Sequence, residues 1–187
     1  MTFDEPRDYI ITFTKRKFNP ITPSEEDIVI EDVAHALSLL SRAGGHSKTF
    51  YSVAQHCINC AKEAKARGCS ERVQLACLLH DASEAYIGDV TRPFKKHLKY
   101  YLEVEEKLQS AIWHILGVTE LTDQEQSKVY EIDDALLYCE FIELMDEVIC
   151  EKASTLYSKP DFEERGHNEV EREFLALYNA LFAKVNA

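Results

Sequence analysis

The sequence predicts an all-α bundle with a small β-hairpin at its N-terminus. Three observations carry this. Apolar residues recur at helical spacing from Ile30 onward. β-prone sequence is confined to the first 30 residues. Pro20, Pro23, Gly44-Gly45, Gly68 and Gly88 cut the chain into pieces of ordinary helix length.

Each element follows from its residues. Tyr9-Ile10-Ile11-Thr12-Phe13-Thr14 is β-prone, and Lys15-Arg16-Lys17 predicts a turn before Phe18. Asp32 to Leu40 reads as a helix with Val33, Ala36, Leu37 and Leu40 on one face. Ser52 to Ala66 forms the next helix, stopped by Gly68. Ser70 is placed to cap a central helix that Gly88 closes. Thr91-Arg92-Pro93 opens a loop, and helices follow over 99–116, 122–149 and 168–184. The last carries Val170, Phe174, Leu177 and Leu181 at helical spacing.

Composition narrows the function classes. The chain has 187 residues, 45% apolar and 29% charged, as expected of one globular domain over 1–187 with an N-terminal hairpin extension at 1–30. No apolar run reaches the length of a membrane span, and the N-terminus lacks the basic and apolar segments of a signal peptide, so a cytoplasmic protein with no membrane partner is expected. A net charge of −12 disfavours duplex nucleic acid as a partner and leaves small nucleotides open. Six cysteines at 57, 60, 69, 77, 139 and 150 form no framework, and Cys57-x-x-Cys60 reads as structural.

The densest chemistry lies in LACLLHDASEAYIGD, residues 75–89. A run this apolar belongs to a core, yet it carries His80, Asp81, Glu84 and Asp89. Burying so many polar groups is costly without partners, and a divalent cation satisfies a His and several acids at once. On a continuous helix Glu84 stands one turn beyond His80 on the same face. His56 lies on the preceding apolar helix. The segment Glu131-Ile132-Asp133-Asp134 through Glu140 supplies a further acid, and by pattern either Asp133 or Asp134 can face inward. Arg42, beside the Gly44-Gly45 turn, offers a planar fork suited to phosphate. Arg92 and Lys95 are weaker phosphate candidates, and His46 is placed to approach a substrate. His35, His97, His114 and His167 read as structural or surface residues.

His56, the pair His80-Asp81 and a distant Asp resemble the H…HD…D signature of the HD-domain superfamily of metal-dependent phosphohydrolases. The stretch H80-D-A-S-E-A-Y-I-G-D-V-T-R-P-F-K95 is similar to that of the YfbR-type 5′-deoxynucleotidases, and Asp32 to His56 resembles the start of the same group. The likeness runs over residues 10–145. It implies an HD-domain helical bundle, a homo-oligomer (dimer or larger) and one divalent transition metal, with Mn, Co, Zn and Ni equally suited. It implies metal ligation by His56, His80, Asp81 and one of Asp133 or Asp134. The step from Asp133 to Glu140 favours Asp133, while the D-A-L string at Asp134 points the other way. It further implies that Glu84 orients the attacking water, that Asp89 lies near the sugar and leaving oxygen, and that Arg42 holds phosphate. Where the deoxynucleotidases carry Trp after that arginine, this chain has Ala43. The expected activity is release of phosphate from deoxynucleoside monophosphates. The alternatives are a deoxynucleoside triphosphate triphosphohydrolase and a non-catalytic nucleotide-binding module.

Overall fold

The computed structural model describes residues 8–118, 120–149 and 155–187. Residues 1–7 of the expected extension and Cys150 lie outside the described residues. The hairpin forms where β-branched and aromatic residues cluster. β1 (Ile10–Ile11) pairs antiparallel with β2 (Lys17–Phe18), Ile10 opposite Phe18. The turn takes Lys15 to φ 69° and is closed by the Thr12 N–H donating to the Arg16 carbonyl at 3.0 Å. Phe18 is fully buried and stacks on Tyr86.

Among the described residues eight α-helices follow: α1 (Ile30–Leu39), α2 (Val53–Ala66), α3 (Glu71–Leu79), α4 (Glu84–Ile87), α5 (Arg92–Lys95), α6 (Lys99–Ile115), α7 (Asp123–Met145) and α8 (His167–Val185). α2 and α3 form the central pair, α8 packs over α1 and α3, and α7 crosses both α2 and α3. The core runs through Leu37, Ile58, Leu75, Leu78, Leu108, Ile132, Leu136 and Phe174. Side-chain caps start three of these helices, of which the sequence predicts the one at Ser70. Ser52 accepts from Gln55 N while the Gln55 side chain reaches back, and Thr122 and Glu125 form the same box on α7. Ser70 caps α3. Gly117, at φ 87°, lets the chain leave α6 beside Phe182; a Cβ there would stand 2.6 Å from that ring.

Several expectations need correction. The inner face of α1 is Val33, Ala34 and Leu37 with the polar Asp32 and Ser38, not Ala36 and Leu40. Asp32 is turned inward because it accepts the Thr14 N–H and hydroxyl at 2.7 and 2.8 Å, binding the hairpin to the bundle. On α8, Tyr178 rather than Leu177 is buried. α7 stops at Met145, where Asp146 turns left-handed at φ 57° and leaves Val148 71% exposed. The expected central helix from Ser70 to Gly88 is broken. α3 ends at Leu79, and 80–83 form a turn before α4.

α2 is buried on nearly every side, including its polar stripe Gln55, Asn59 and Glu63 at four-residue steps. These hold the irregular segment 157–163 by its backbone. Glu63 accepts from Tyr157 N and Ser158 N, Asn59 pairs with both backbone groups of Asp161, and Gln55 donates to the Glu163 carbonyl at 3.0 Å.

Candidate metal centre and its cavity

The break after α3 builds the site. His80 and Ser83 keep helical dihedrals, but the backbone bonds tighten to three-residue steps, Leu79 carbonyl to Ala82 N and Asp81 carbonyl to Glu84 N. Gln109 on α6 clamps both ends of this turn. Its amide donates to the Leu79 carbonyl at 2.7 Å and accepts from Ser83 N at 3.0 Å. His80 and Asp81 therefore project from a braced turn rather than from a uniform helix, and the expected one-turn register of His80 with Glu84 does not apply.

Four donor atoms converge from α2, the turn after α3, and α7. Nε2 of His56 stands 3.1 Å from Nε2 of His80, 3.0 Å from Asp133 Oδ1 and 3.8 Å from Asp81 Oδ2. Nε2 of His80 lies 3.3 Å from Asp81 Oδ2 and 3.6 Å from Asp133 Oδ1. Ligands at about 2.0–2.2 Å from one cation, in tetrahedral to octahedral arrangement, stand roughly 3–3.6 Å from each other. Four of these five separations fall in that range, and the fifth, His56 to Asp81, exceeds it by 0.2 Å.

The tautomers agree with this. His80 Nδ1 is 2.8 Å from the Cys77 carbonyl, which can only accept, so Nδ1 carries a proton. His56 Nδ1 donates to Glu140 Oε1 at 2.5 Å. Burial works to raise the Glu140 carboxyl, but the charges of Arg42 and His56 and their hydrogen bonds bring it down to about 2. Both rings thus turn Nε2 toward each other and toward two carboxylates; burial works to lower the His80 imidazole, but the charge of Asp81 beside it raises it well above its ordinary value. Nε2 atoms and carboxylates gathered in this way favour a cation among them, and the donor set fits a divalent transition metal.

The remaining residues sort by position. Burial would raise the Asp133 carboxyl, yet hydrogen bonds from His56 and His80 hold it well below its ordinary value. Asp134 points outward, half exposed, and pairs with Arg92 at 2.6 Å. Arg42 is seated by Glu140, which accepts from Nε at 2.8 Å, and reaches Asp81 at 3.1 Å and Asp133 at 3.5 Å. Its turn takes Ala43 to φ 55°, and Asp89 Oδ2 accepts the Ala43 N–H at 2.8 Å. Glu84 is 6% exposed, and its Oε2 has no hydrogen-bond partner. Burial, then the charges of Asp81 and Asp89, push its carboxyl well above the usual range. Arg42, His80, Asp81, Glu84, Asp89, Arg92 and Asp133 line one cavity of about 1000 Å³. His46 does not; contrary to expectation it is exposed outside the cavity, because the Gly44-Gly45 turn carries it away. Residues 44–147 match the family model described as HD domain, more than half of the chain and all four converging donors.

The chain belongs to the HD domain family. Members of this family are typically metal-dependent hydrolases that bind divalent cations. The chain is 38% identical over 110 residues to the uncharacterized protein YfdR of Escherichia coli strain K12, 59% of each chain. It is 33% identical over 155 residues to an uncharacterized protein of Rhodobacter capsulatus, covering 78% of this chain and 77% of that one. The match to YfdR therefore spans less than two thirds of that protein's length. Arg42 and the hairpin lie just outside the HD-domain match. Among the described residues no helix is long and apolar enough to cross a membrane.

Sequence reasoning missed Glu140 as the group that seats both His56 and Arg42, and missed Gln109 altogether. The spacing of Asp133 to Glu140, two turns on one helix face, was the available signal for the first; the second had none. Cys57 and Cys60 are buried as expected of structural residues, but they also floor this HD-domain centre. Cys60 Sγ is 3.5 Å from His56 Nε2, and Cys57 Sγ is 4.0 Å from His80 Nδ1. Burial holds both thiols above their ordinary range, so they pack as neutral groups.

Proposed function

We propose that this HD-domain protein is a metal-dependent phosphohydrolase acting on nucleoside 5′-phosphates, releasing phosphate from deoxynucleoside monophosphates. The observation that supports it is the convergence of two imidazoles and two carboxylates beside a seated arginine and an unpaired buried carboxyl, all but the fully buried His56 lining one cavity. In this reading His56, His80, Asp81 and Asp133 hold one divalent transition metal. Such a cation lowers the pKa of a bound water and neutralises phosphate oxygens.

The chain's own residues supply the rest. Arg42, anchored through Nε on Glu140, turns its two Nη groups toward the cluster, where a planar fork suits a phosphate. Glu84, its Oε2 unpaired and its carboxyl raised above the usual range by burial and the charges of Asp81 and Asp89, is the group placed to accept or steer the proton of the attacking water. Asp89 keeps one oxygen on Ala43 N and presents the carboxyl to the cavity, near the sugar and leaving oxygen. Arg92 adds positive charge at the rim.

The cavity volume of about 1000 Å³, and Arg92 and Lys95 along its wall, favour a second reading in which triphosphate is the leaving unit. A panel of deoxynucleoside mono-, di- and triphosphates with Mn, Co, Zn and Ni, with the product identified, tests both. Released phosphate supports the first reading and released triphosphate the second. Metal and nucleotide bound without any release overturns both and leaves a binding module.

A further inference from the structure

The two oxygens of Asp133 face different partners. Oδ1 lies 3.0 Å from His56 Nε2 and 3.6 Å from His80 Nε2, inside the donor cluster. Oδ2 accepts from Arg92 Nη2 at 2.6 Å. The other arm of the same guanidinium, Nη1, donates to Asp134 Oδ1 at 2.6 Å. Arg92 thus spans two adjacent acids of α7, one turned to the centre and one at the surface. A planar fork of rigidly spaced donors suits such a span.

The segment that carries Arg92 is held on both sides. Before it, the Gly88 carbonyl accepts from the Tyr101 hydroxyl at 3.0 Å, and Asp89 Oδ2 accepts the Ala43 N–H at 2.8 Å. After it, Lys95 pairs with Glu105 of α6 at 2.5 Å. Pro93 stands in the first turn of α5 and fixes the backbone φ directly behind Arg92. The Arg92 side chain itself is 57% exposed, so core packing does not force it onto Asp133. An exposed ion pair adds little stability, so the fold does not depend on the contact either.

A carboxylate with both oxygens free can chelate one cation and then takes two of its coordination positions. With Oδ2 engaged by Arg92, Asp133 offers Oδ1 alone. We propose that Arg92 is a positioning residue that restricts Asp133 to one oxygen toward the metal and so keeps a coordination position open for water. The inference rests on the metal reading above, in which Asp133 is a ligand. An open position matters because a hydrolytic centre must hold water as well as protein.

The whole chain loaded with Mn2+ tests this through the relaxation rate of solvent water, which rises with the number of waters on the ion. Nucleotide is omitted, so a phosphate contact of Arg92 does not enter. Four protein donors leave about two of the six positions of Mn2+ to water, and Arg92→Ala, by letting Asp133 chelate, should lower the enhancement per bound ion by about half. Arg92→Lys, which leaves one donor for Oδ2, should restore most of it. Arg92→Ala with the parent's enhancement per bound ion overturns the proposal and leaves the metal centre standing. A fall that Arg92→Lys does not relieve also overturns it, because the donor on Oδ2 would then not be the cause. Loss of Mn2+ from Arg92→Ala would make Arg92 a requirement for binding itself and overturns the one-oxygen restriction. A parent that binds no Mn2+, or an Asp133→Ala variant that binds it as the parent does, overturns the metal reading and the proposal together.

Discussion

Glu140 accepts the Nδ1–H of His56 at 2.5 Å, and this contact decides which nitrogen of the ring faces the cluster. The same carboxylate anchors Arg42 at 2.8 Å, so one buried acid orients a metal-binding candidate and a phosphate-binding candidate together. Glu140→Gln keeps the volume and removes the charge. Metal affinity should fall about 10–100-fold, the usual cost of losing a carboxylate behind a ligating imidazole. Competition against a chelator of known affinity measures it. Unchanged affinity would mean that His56 keeps its tautomer without Glu140.

Asp133 and Asp134 are adjacent in sequence and opposite in environment. Asp133 turns Oδ1 to both imidazoles and accepts from Arg92 through Oδ2 at 2.6 Å, whereas Asp134 meets Arg92 at the surface without reaching either ring. Asp133→Ala should empty the metal site, as should His80→Ala and Asp81→Ala. Asp134→Ala should retain stoichiometric metal and change stability by less than about 1 kcal/mol, as expected of an exposed ion pair. Metal content after gel filtration distinguishes them, and the reverse pattern would transfer the ligand role to Asp134.

Glu84→Gln addresses chemistry without removing a member of the four-donor cluster. The fold, the metal and nucleotide affinity should persist while turnover drops by roughly 10²–10⁴-fold, the usual worth of a positioned acid or base. Calorimetry and phosphate release are compared between parent and variant. Loss of metal together with activity would make Glu84 a ligand instead.

Gln109 touches backbone alone, yet it closes the turn that presents His80 and Asp81. Gln109→Met preserves length and removes both bonds. Stability should fall by about 1–3 kcal/mol, since a buried donor and acceptor lose their partners. Metal affinity should fall as well, because the turn is no longer held. Gln109→Glu, which retains an acceptor for Ser83 N, should recover part of both. A variant that loses stability but binds metal as the parent does would limit Gln109 to packing.

Glu63 predicts an acid-sensitive strap. Burial raises its carboxyl, but the Ser158 hydroxyl, Arg67 and the backbone N–H groups of Tyr157 and Ser158 outweigh this and lower it. A group whose folded pKa is depressed stabilises above its unfolded value and loses that stabilisation as pH falls through the folded one. The contribution is therefore complete above the ordinary glutamate range and is lost below about pH 4. Glu63→Ala should cost about 3 kcal/mol at neutral pH by stranding two backbone donors, and less in acid. Urea midpoints of parent and variant against pH provide the measurement.

The architecture was legible because its signals are local. Periodic apolar residues, the Ser70 cap and the closing Gly88 each act within one turn of chain. The clustering of His56, His80, Asp81 and Asp133 followed from a motif whose members lie on different helices. What escaped were polar groups that face inward for a tertiary reason. Gln55, Asn59 and Glu63 carry no local signal for facing inward, and they bind a distant backbone. The break after Leu79 also escaped, because it is held by Gln109 from 30 residues away and no local residue signals it. His46 was misplaced because a Gly-Gly turn does not reveal its direction.

α2 leaves little of itself in contact with water. Its apolar face enters the core, its polar stripe is covered by the strap, and His56 lies between the two. Its amides should therefore exchange with deuterium only through unfolding of the whole molecule, and stay slow when metal is withdrawn. α6, which carries Leu102 and Tyr100 exposed, is free to exchange sooner. One ligand candidate of the centre is thus fixed as deeply as the fold itself.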